Sequence, residues 1–383
     1  MSAREIIAGI GAEVGIGING REPWDMKVHN ERTFERILGQ GSVGLGESYM
    51  VGWWDCEDLY GFFERLLSLP DIQDRVRVGL GTMLAYLKAR LTNVQSIAQT
   101  RRLADTHYNL GNALFEGMLG PSMAYSCGYW RKAADLDGAQ LAKYDLVCRK
   151  LKLARGEHLL DIGCGWGGFA RFAVENYGVR YTGITVAAEQ AEYARRLCEG
   201  LPVEIDCVDY REFDIAGHGG PFDKLVSIGM IEHVGYRNYA NMMEVASRAL
   251  KEKGLFLLHM IGSTVSLQAT DPWIDKYIFP GGVLPSVKQI SEAAEKRFVL
   301  HDAHNIGVHY APTLVAWHRN FETWWETSVE SERPRIRGSQ EMFRRMWRYY
   351  LLSCAASFAT GYNEVWQFVY ARGHLPEGYE AVR

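Results

Sequence analysis

The sequence predicts an α/β fold: a doubly wound, Rossmann-like sheet preceded by a small, mostly helical domain. Three observations carry this expectation. The stretch HLLDIGCGWGG at 158–168 joins a strand-like apolar run to a helical one through a glycine turn. From there onward strand and helix patterns alternate, as crossovers between parallel strands require. In the first part of the chain the apolar spacing is helical instead, which divides the protein into an N-terminal domain at 1–98 and a larger domain at 99–383.

The chain opens with a short amphipathic run and a turn signal at Asn19-Gly20. Gly39, Gly41, Gly44 and Gly46 then make the backbone permissive. Tyr49, Trp53 and Trp54 follow, either as part of a small core or as lipid contacts. Leu59, Phe62, Phe63, Leu66 and Leu67 keep a helical period until Pro70 stops it. Residues 75–104 hold Arg75, Arg77, Lys88, Arg90, Arg101 and Arg102 and no acidic residue, over a stripe of Leu80, Met83, Leu84, Leu87 and Leu91. Such a basic amphipathic helix reads either as an anionic-lipid contact or as a solvated face over a buried stripe. The uncharged polar run at 92–96 is the candidate linker.

Residues 105–112 and 123–130 are dense in polar-tipped aromatics and precede the first strand of the sheet, where they can fold as a lid over the strand ends. His158–Ile162 suits a buried parallel strand. The turn after it lets backbone N–H groups approach a ligand, and a helix over 166–177 is expected from Phe169, Phe172, Ala173 and Tyr177. Further strands are expected at 181–185, 201–208, 224–228, 254–260, 298–305 and 365–370, with a tryptophan-rich helical insertion at 313–358.

The glycine spacing also fits a dinucleotide fingerprint, but two features point elsewhere. That fingerprint places an acidic residue for the ribose about 20 residues after the glycines; here the second strand ends at Thr185. Asp161 stands just before the first glycine, where it would repel a pyrophosphate. A carboxylate there suits a ligand with an amine and no phosphate, as S-adenosylmethionine has. The competing reading is a glycine turn that binds nothing.

Composition narrows the rest. A hydrophobic content of 47% supports a real core, and a net charge of −4 provides no global field for nucleic acid, so no nucleic-acid partner is expected. Seven cysteines at irregular spacing fit neither a disulfide framework nor a zinc ribbon and imply a reducing compartment. His301, His304 and His309 lack ligand spacing with cysteines or carboxylates, so no metal is expected. No signal-peptide layout appears, and no run reaches the ~18 apolar residues of a membrane helix. The expectation is a cytoplasmic protein whose contact with the inner face of the membrane is peripheral.

Eight stretches carry a resemblance: GSVGLGESYMVGWWDCEDL, HYNLGNALF, MAYSCGYW, LLDIGCGWGG, GMIEHVG, LLHMIGS, DPWIDKYIFPGG and LPS. In this order they resemble the cyclopropane-fatty-acyl-phospholipid synthases, relatives of the mycolic acid cyclopropane synthases. The resemblance implies a class I S-adenosylmethionine-dependent methyltransferase domain and unsaturated phospholipids as substrate. It also implies a homodimer. It places Tyr125, Ser126, Gly163, Gly165, Thr185, Gln190, Asp209 and Tyr210 against the donor, beside Asp161 and Gly168 from the glycine turn. It places Cys127, Glu232, His259, Ile261 and Tyr310 around a bound bicarbonate.

The chemistry fits these residue types. Methyl transfer to an alkene carbon leaves a carbocation on the other, which must lose a proton from the new methyl for the ring to close. That calls for a captive base and for walls that stabilise the cation without trapping it; aromatic faces contribute about 2 kcal/mol when desolvated. Tyr125, Tyr129, Trp130, Tyr277, Phe279, Tyr310 and Trp317 are the candidate walls. Two other outcomes stay open: a fatty-acid C-methyltransferase that stops at a branched methyl, and a non-catalytic lipid-binding module. No step needs a covalent cysteine. Cys127→Ser is therefore expected to keep substantial activity in a donor-turnover assay; complete loss with donor binding intact would contradict a supporting role.

Overall fold

The computed structural model describes residues 1–69, 110–334 and 338–383. The basic segment 75–102, the linker at 92–96, the domain boundary at 98 and the start of the lid at 105–109 lie outside the described residues.

Helix α1 (Ala3–Glu13) starts at a capping box in which Ser2 and Glu5 satisfy each other's backbone N–H groups. Strands β1 (Lys27–Val28) and β2 (Trp54–Asp55) form a small antiparallel ribbon around α2 (Arg32–Gln40) and α3 (Ser42–Met50), and α4 (Leu59–Leu67) follows from an Asp58 cap. The glycine run expected as permissive backbone is helical in α3. A Cβ on Gly44 would stand 2.1 Å from the Arg36 carbonyl oxygen, and one on Gly46 would stand 2.3 Å from Trp273 Nε1. Both glycines let neighbouring elements close on α3.

Trp54 is fully buried and so belongs to the core, whereas Trp53 is half-buried with the Arg36 guanidinium 5.2 Å from its ring. The core that Trp54 joins is shared with the far end of the chain. Phe63 and Trp273 pack against Tyr349 at ring separations of 5.0 and 4.4 Å, and Arg345 donates to the carbonyls of Tyr49 and Trp54. Each buried tryptophan removes roughly 150–250 Å² from water, a gross gain of about 4–6 kcal/mol.

Helices α5 (Asn112–Leu119) and α6 (Leu136–Lys150) lead to the sheet. Strands β3 (His158–Ile162), β4 (Arg180–Thr185), β5 (Val203–Cys207), β6 (Phe222–Ile228), β7 (Leu250–Ser263), β8 (Val299–Asn305) and β9 (Asn363–Ala371) stand in the order β5-β4-β3-β6-β7-β9-β8. Pairs from β5 to β7 are parallel, and β9 is antiparallel to both neighbours. Strand β7 outruns the expected 254–260 because β9 pairs along it as far as Ser263↔Asn363.

Between strands lie α7 (Gly168–Tyr177), α8 (Ala188–Leu197), α9 (Tyr239–Ala249), α10 (Pro272–Tyr277) and α11 (Val287–Ala294). Helix α7 begins two residues later than expected. Gly167 has φ +84°, which α-helix does not admit, and Trp166 turns away to donate to Asn112. The single insertion expected at 313–358 is two helices, α12 (Tyr310–Thr327) and α13 (Gln340–Ala359), joined by stacked Trp325, Phe343 and Trp347.

Gly46→Ala is expected to force α3 away from the Trp273 ring and lower stability by roughly 1–3 kcal/mol. A lower urea midpoint would show it; an unchanged midpoint would contradict the close approach.

Candidate active site

Parallel strands deliver their carboxyl ends to one edge of the sheet, and a cavity opens there. Strand β3 is buried throughout and brings Asp161 to it. Tyr181 on β4 donates its hydroxyl to Asp161 Oδ2, while Oδ1 is buried with no hydrogen-bond partner among the described residues. Burial pushes this carboxyl up to about 7, against the opposing pull of Tyr181 and Lys143. A buried acceptor left without a donor is costly, and among the described residues none donates to this one, so a donor-bearing ligand would satisfy it. A cationic amine supplies such a donor; a phosphate does not.

After Asp161 the chain turns through Gly163 at φ +102° and Gly165 at φ +55°, conformations that favour glycine. Gly168 also lines the cavity, but packing accounts for it: a Cβ would stand 2.1 Å from the Ser122 carbonyl oxygen. At the end of β4, Thr185 donates to Gln190 Oε1 at 3.1 Å. Beyond β5, Asp209 is buried and held by Arg211 at 2.7 and 2.6 Å, and the Tyr210 hydroxyl is buried without a partner among the described residues. With Tyr125 and Ser126 from the expected lid, all ten residues assigned to the donor line this one cavity.

The five residues assigned to the base do not line it; they stand behind its wall. Glu232 lies in a 3-10 turn (Ile231–His233) after β6. Its Oε1 accepts from Ile261 N–H at 2.6 Å, and its Oε2 is buried without a partner among the described residues. Burial raises its carboxyl to about 7. His259 sits on β7 opposite Ile228, the last residue of β6, and burial lowers it to about 3. Gln367 Nε2 approaches its Nδ1 at 3.3 Å and donates, which leaves the proton of the neutral ring on Nε2.

Tyr310 opens α12; burial raises its hydroxyl, with further push from Cys127, Tyr125 and Glu232. The Cys127 thiol is buried 3.9 Å from the Ile306 carbonyl oxygen, and burial raises it too far to ionise near neutral pH. Glu232 Oε2 is able to accept from a ligand hydroxyl, and the Tyr310 hydroxyl and the His259 Nε2–H are each able to donate to a ligand oxygen.

Of the seven candidate walls, Tyr125 and Phe279 face the donor cavity. Trp317 packs behind Tyr125 at 5.3 Å and Tyr310 packs on Phe358 at 4.5 Å. Three are corrected because nearer partners claim them. Tyr129 packs on His309 at 4.8 Å, Trp130 Nε1 donates to Thr313 at 2.8 Å, and the Tyr277 hydroxyl donates to Glu47 at 2.7 Å. Residues that sequence reasoning did not assign also line the cavity, among them Lys143, Met230, His233 and Pro280. Met230, His233 and Pro280 stand within the quoted stretches GMIEHVG and DPWIDKYIFPGG, whereas Lys143 on α6 stands in none of them, and its burial appears only in the fold.

The family model described as mycolic acid cyclopropane synthetase matches residues 95–368. The cyclopropane-fatty-acyl-phospholipid synthase of Escherichia coli K12 is 44% identical over 362 residues, covering 94% of this chain and 91% of that protein. A probable fatty acid methyltransferase of Pseudomonas putida is 38% identical over 284 residues, 70% of this chain and 69% of that protein. Among solved structures, the mycolic acid cyclopropane synthase CmaA1 in complex with SAH and CTAB aligns with a TM-score of 0.63 at 32% identity, over 71% of this chain and 98% of that one.

The environment of Glu232 makes stability depend on pH. In the fold the carboxyl stays protonated up to about 7, whereas its ordinary value is 4.5, so between these values the folded chain binds more protons than the unfolded one. Its contribution is fully present below 4.5 and is lost as pH rises through about 7. Glu232→Gln, which cannot ionise, is expected to gain ~2–3 kcal/mol on wild type between pH 4 and pH 8 in denaturant titrations. Parallel stability curves for the two proteins would contradict a desolvated carboxyl.

Proposed function

Because the chain belongs to the mycolic acid cyclopropane synthetase family, whose members here share the class I S-adenosylmethionine-dependent methyltransferase fold, we propose that it converts cis double bonds of unsaturated phospholipid acyl chains to cyclopropane rings. The observation that carries this reading is the pairing of two half-satisfied buried carboxyls: Asp161 in the donor cavity and Glu232 behind it. One suits the amine of S-adenosylmethionine. The other suits an anion able to act as a base.

In this reading the donor lies along the glycine turn, with Tyr125, Ser126, Thr185, Gln190, Asp209 and Tyr210 fixing its orientation. S-adenosylmethionine supplies an electrophilic methyl, and bicarbonate, when bound, supplies a small oxygen base. Asp161 holds the donor's amine, and the apolar wall keeps water from the reacting carbon. Tyr125 and Phe279 offer ring faces to developing positive charge. Glu232 Oε2, the Ile261 backbone, the Tyr310 hydroxyl and His259 orient the base, and Cys127 packs beside them as a thiol.

The N-terminal domain at 1–98 serves membrane approach, and the enzyme acts as a homodimer at the inner, cytoplasmic face of the membrane. No helix among the described residues is long and apolar enough to cross a membrane, and peripheral contact accords with that. The Pseudomonas putida relative supports a second reading, a fatty-acid C-methyltransferase with a branched methyl product.

Purified protein given methyl-labelled donor and unsaturated phospholipid vesicles is expected to release S-adenosylhomocysteine and to place label in a ring. Mass spectrometry separates the readings, since ring closure preserves the degree of unsaturation and a reduced methyl branch lowers it. Glu232→Gln is expected to lose ~10²-fold or more in turnover while donor affinity holds. Labelled branched chains would favour the second reading, and no label in lipid would leave only a binding module.

A further inference from the structure

Helix α6 buries two lysines on one stripe, and they are treated differently. Lys150 is fully buried and has a counter-ion, Asp302, at 3.0 Å. Lys143 is 1% exposed and lines the donor cavity. Its Nζ donates to Ser126 Oγ at 2.9 Å and lies 4.2 Å from the Tyr144 ring centroid. No carboxylate among the described residues forms an ion pair with it; Asp161 and Cys127 act on it only at longer range. Burial lowers its ammonium to about 7.

An ammonium taken out of water without a paired anion is costly, and the cavity it faces also holds Asp161 Oδ1, which has no donor among the described residues. The two groups are opposite in charge and line one cavity. A zwitterion fits both at once. The methionine end of the donor is such a group, with an α-amine and an α-carboxylate on one carbon.

We propose that Lys143 is a positioning residue for the methyl donor, its ammonium pairing with the donor's α-carboxylate while Asp161 Oδ1 takes the α-amine. The inference rests on the cavity being the S-adenosylmethionine site. A bicarbonate held beside Glu232 would be the other anion open to this ammonium, since Lys143 also acts on Cys127 and His259. The donor carboxylate is preferred because both Lys143 and its partner Ser126 line the donor cavity itself.

Calorimetry on the full chain compares S-adenosylmethionine with its decarboxylated analogue, which keeps the sulfonium and the amine. Wild type is expected to bind S-adenosylmethionine ~30-fold more tightly than the analogue. Lys143→Met is expected to weaken S-adenosylmethionine by about the same ~30-fold and to leave the analogue within ~3-fold, collapsing the preference. Unchanged analogue binding also shows that the variant folds. Equal weakening of both ligands, or an unchanged preference, overturns the proposal. An unchanged preference with a raised bicarbonate requirement would assign the ammonium to the base instead. Where Lys143→Met does not fold, Lys143→Gln takes its place in the same two-ligand comparison, with the same outcomes upholding or overturning the proposal; equal binding of the two ligands by wild type overturns it in either case. A wild type that binds neither ligand fails the donor-site reading itself, a result separate from every outcome above.

Discussion

Parallel strand direction is the constraint on which the site depends. Strands β3, β4, β6 and β7 all point their carboxyl ends to one edge, and an antiparallel arrangement would scatter those ends over two. At that edge the chain leaves Asp161 Oδ1, Glu232 Oε2 and the Tyr210 hydroxyl buried without partners among the described residues. Folding alone would not favour such a cluster, because each unmet group loses water and gains nothing. The cluster makes sense as a surface whose hydrogen bonds are completed on binding.

Desolvation shifts five of the ionisable groups there toward their neutral form. Asp161 and Glu232 are raised, and Lys143, His233 and His259 are lowered. The site therefore carries less fixed charge than its composition suggests. A zwitterionic donor and a small anion restore charge where it is needed, in a medium where each interaction is stronger than in water.

The walls are held from far away in sequence. The Val283 N–H donates to the Glu232 carbonyl at 2.8 Å, so the segment after α10 sits on the turn that carries the carboxyl. Helix α10 is tied in turn to α3, where Glu47 takes Lys276 at 2.5 Å and Tyr277 at 2.7 Å. Gly46 lets Trp273 lie against the same helix. The N-terminal helices thus brace the loop that presents Phe279 to the cavity.

Local pattern determined much of this in the sequence alone. An apolar run, a glycine turn and a helical period fix β3, its loop and α7, and the position of Asp161 follows from them. The resemblance and the glycine turn together supplied the donor residues, of which Thr185, Gln190, Asp209 and Tyr210 lie outside the quoted motifs, and all of them line one cavity. What the sequence left open was the partner of each polar atom. Tyr129, Trp130 and Tyr277 have the same aromatic character as Tyr125, and only packing sends them to His309, Thr313 and Glu47 instead. Lys143 and Lys150 occupy equivalent places on one stripe, yet Asp302 reaches only the second because β8 lies beside it. Periodicity reports which face of an element is buried. Whether a buried group there meets a counter-charge or a hydrogen-bond partner is settled by segments more than a hundred residues away, as with Lys150 and Asp302 or His259 and Gln367, and that pairing exists only once the chain has folded.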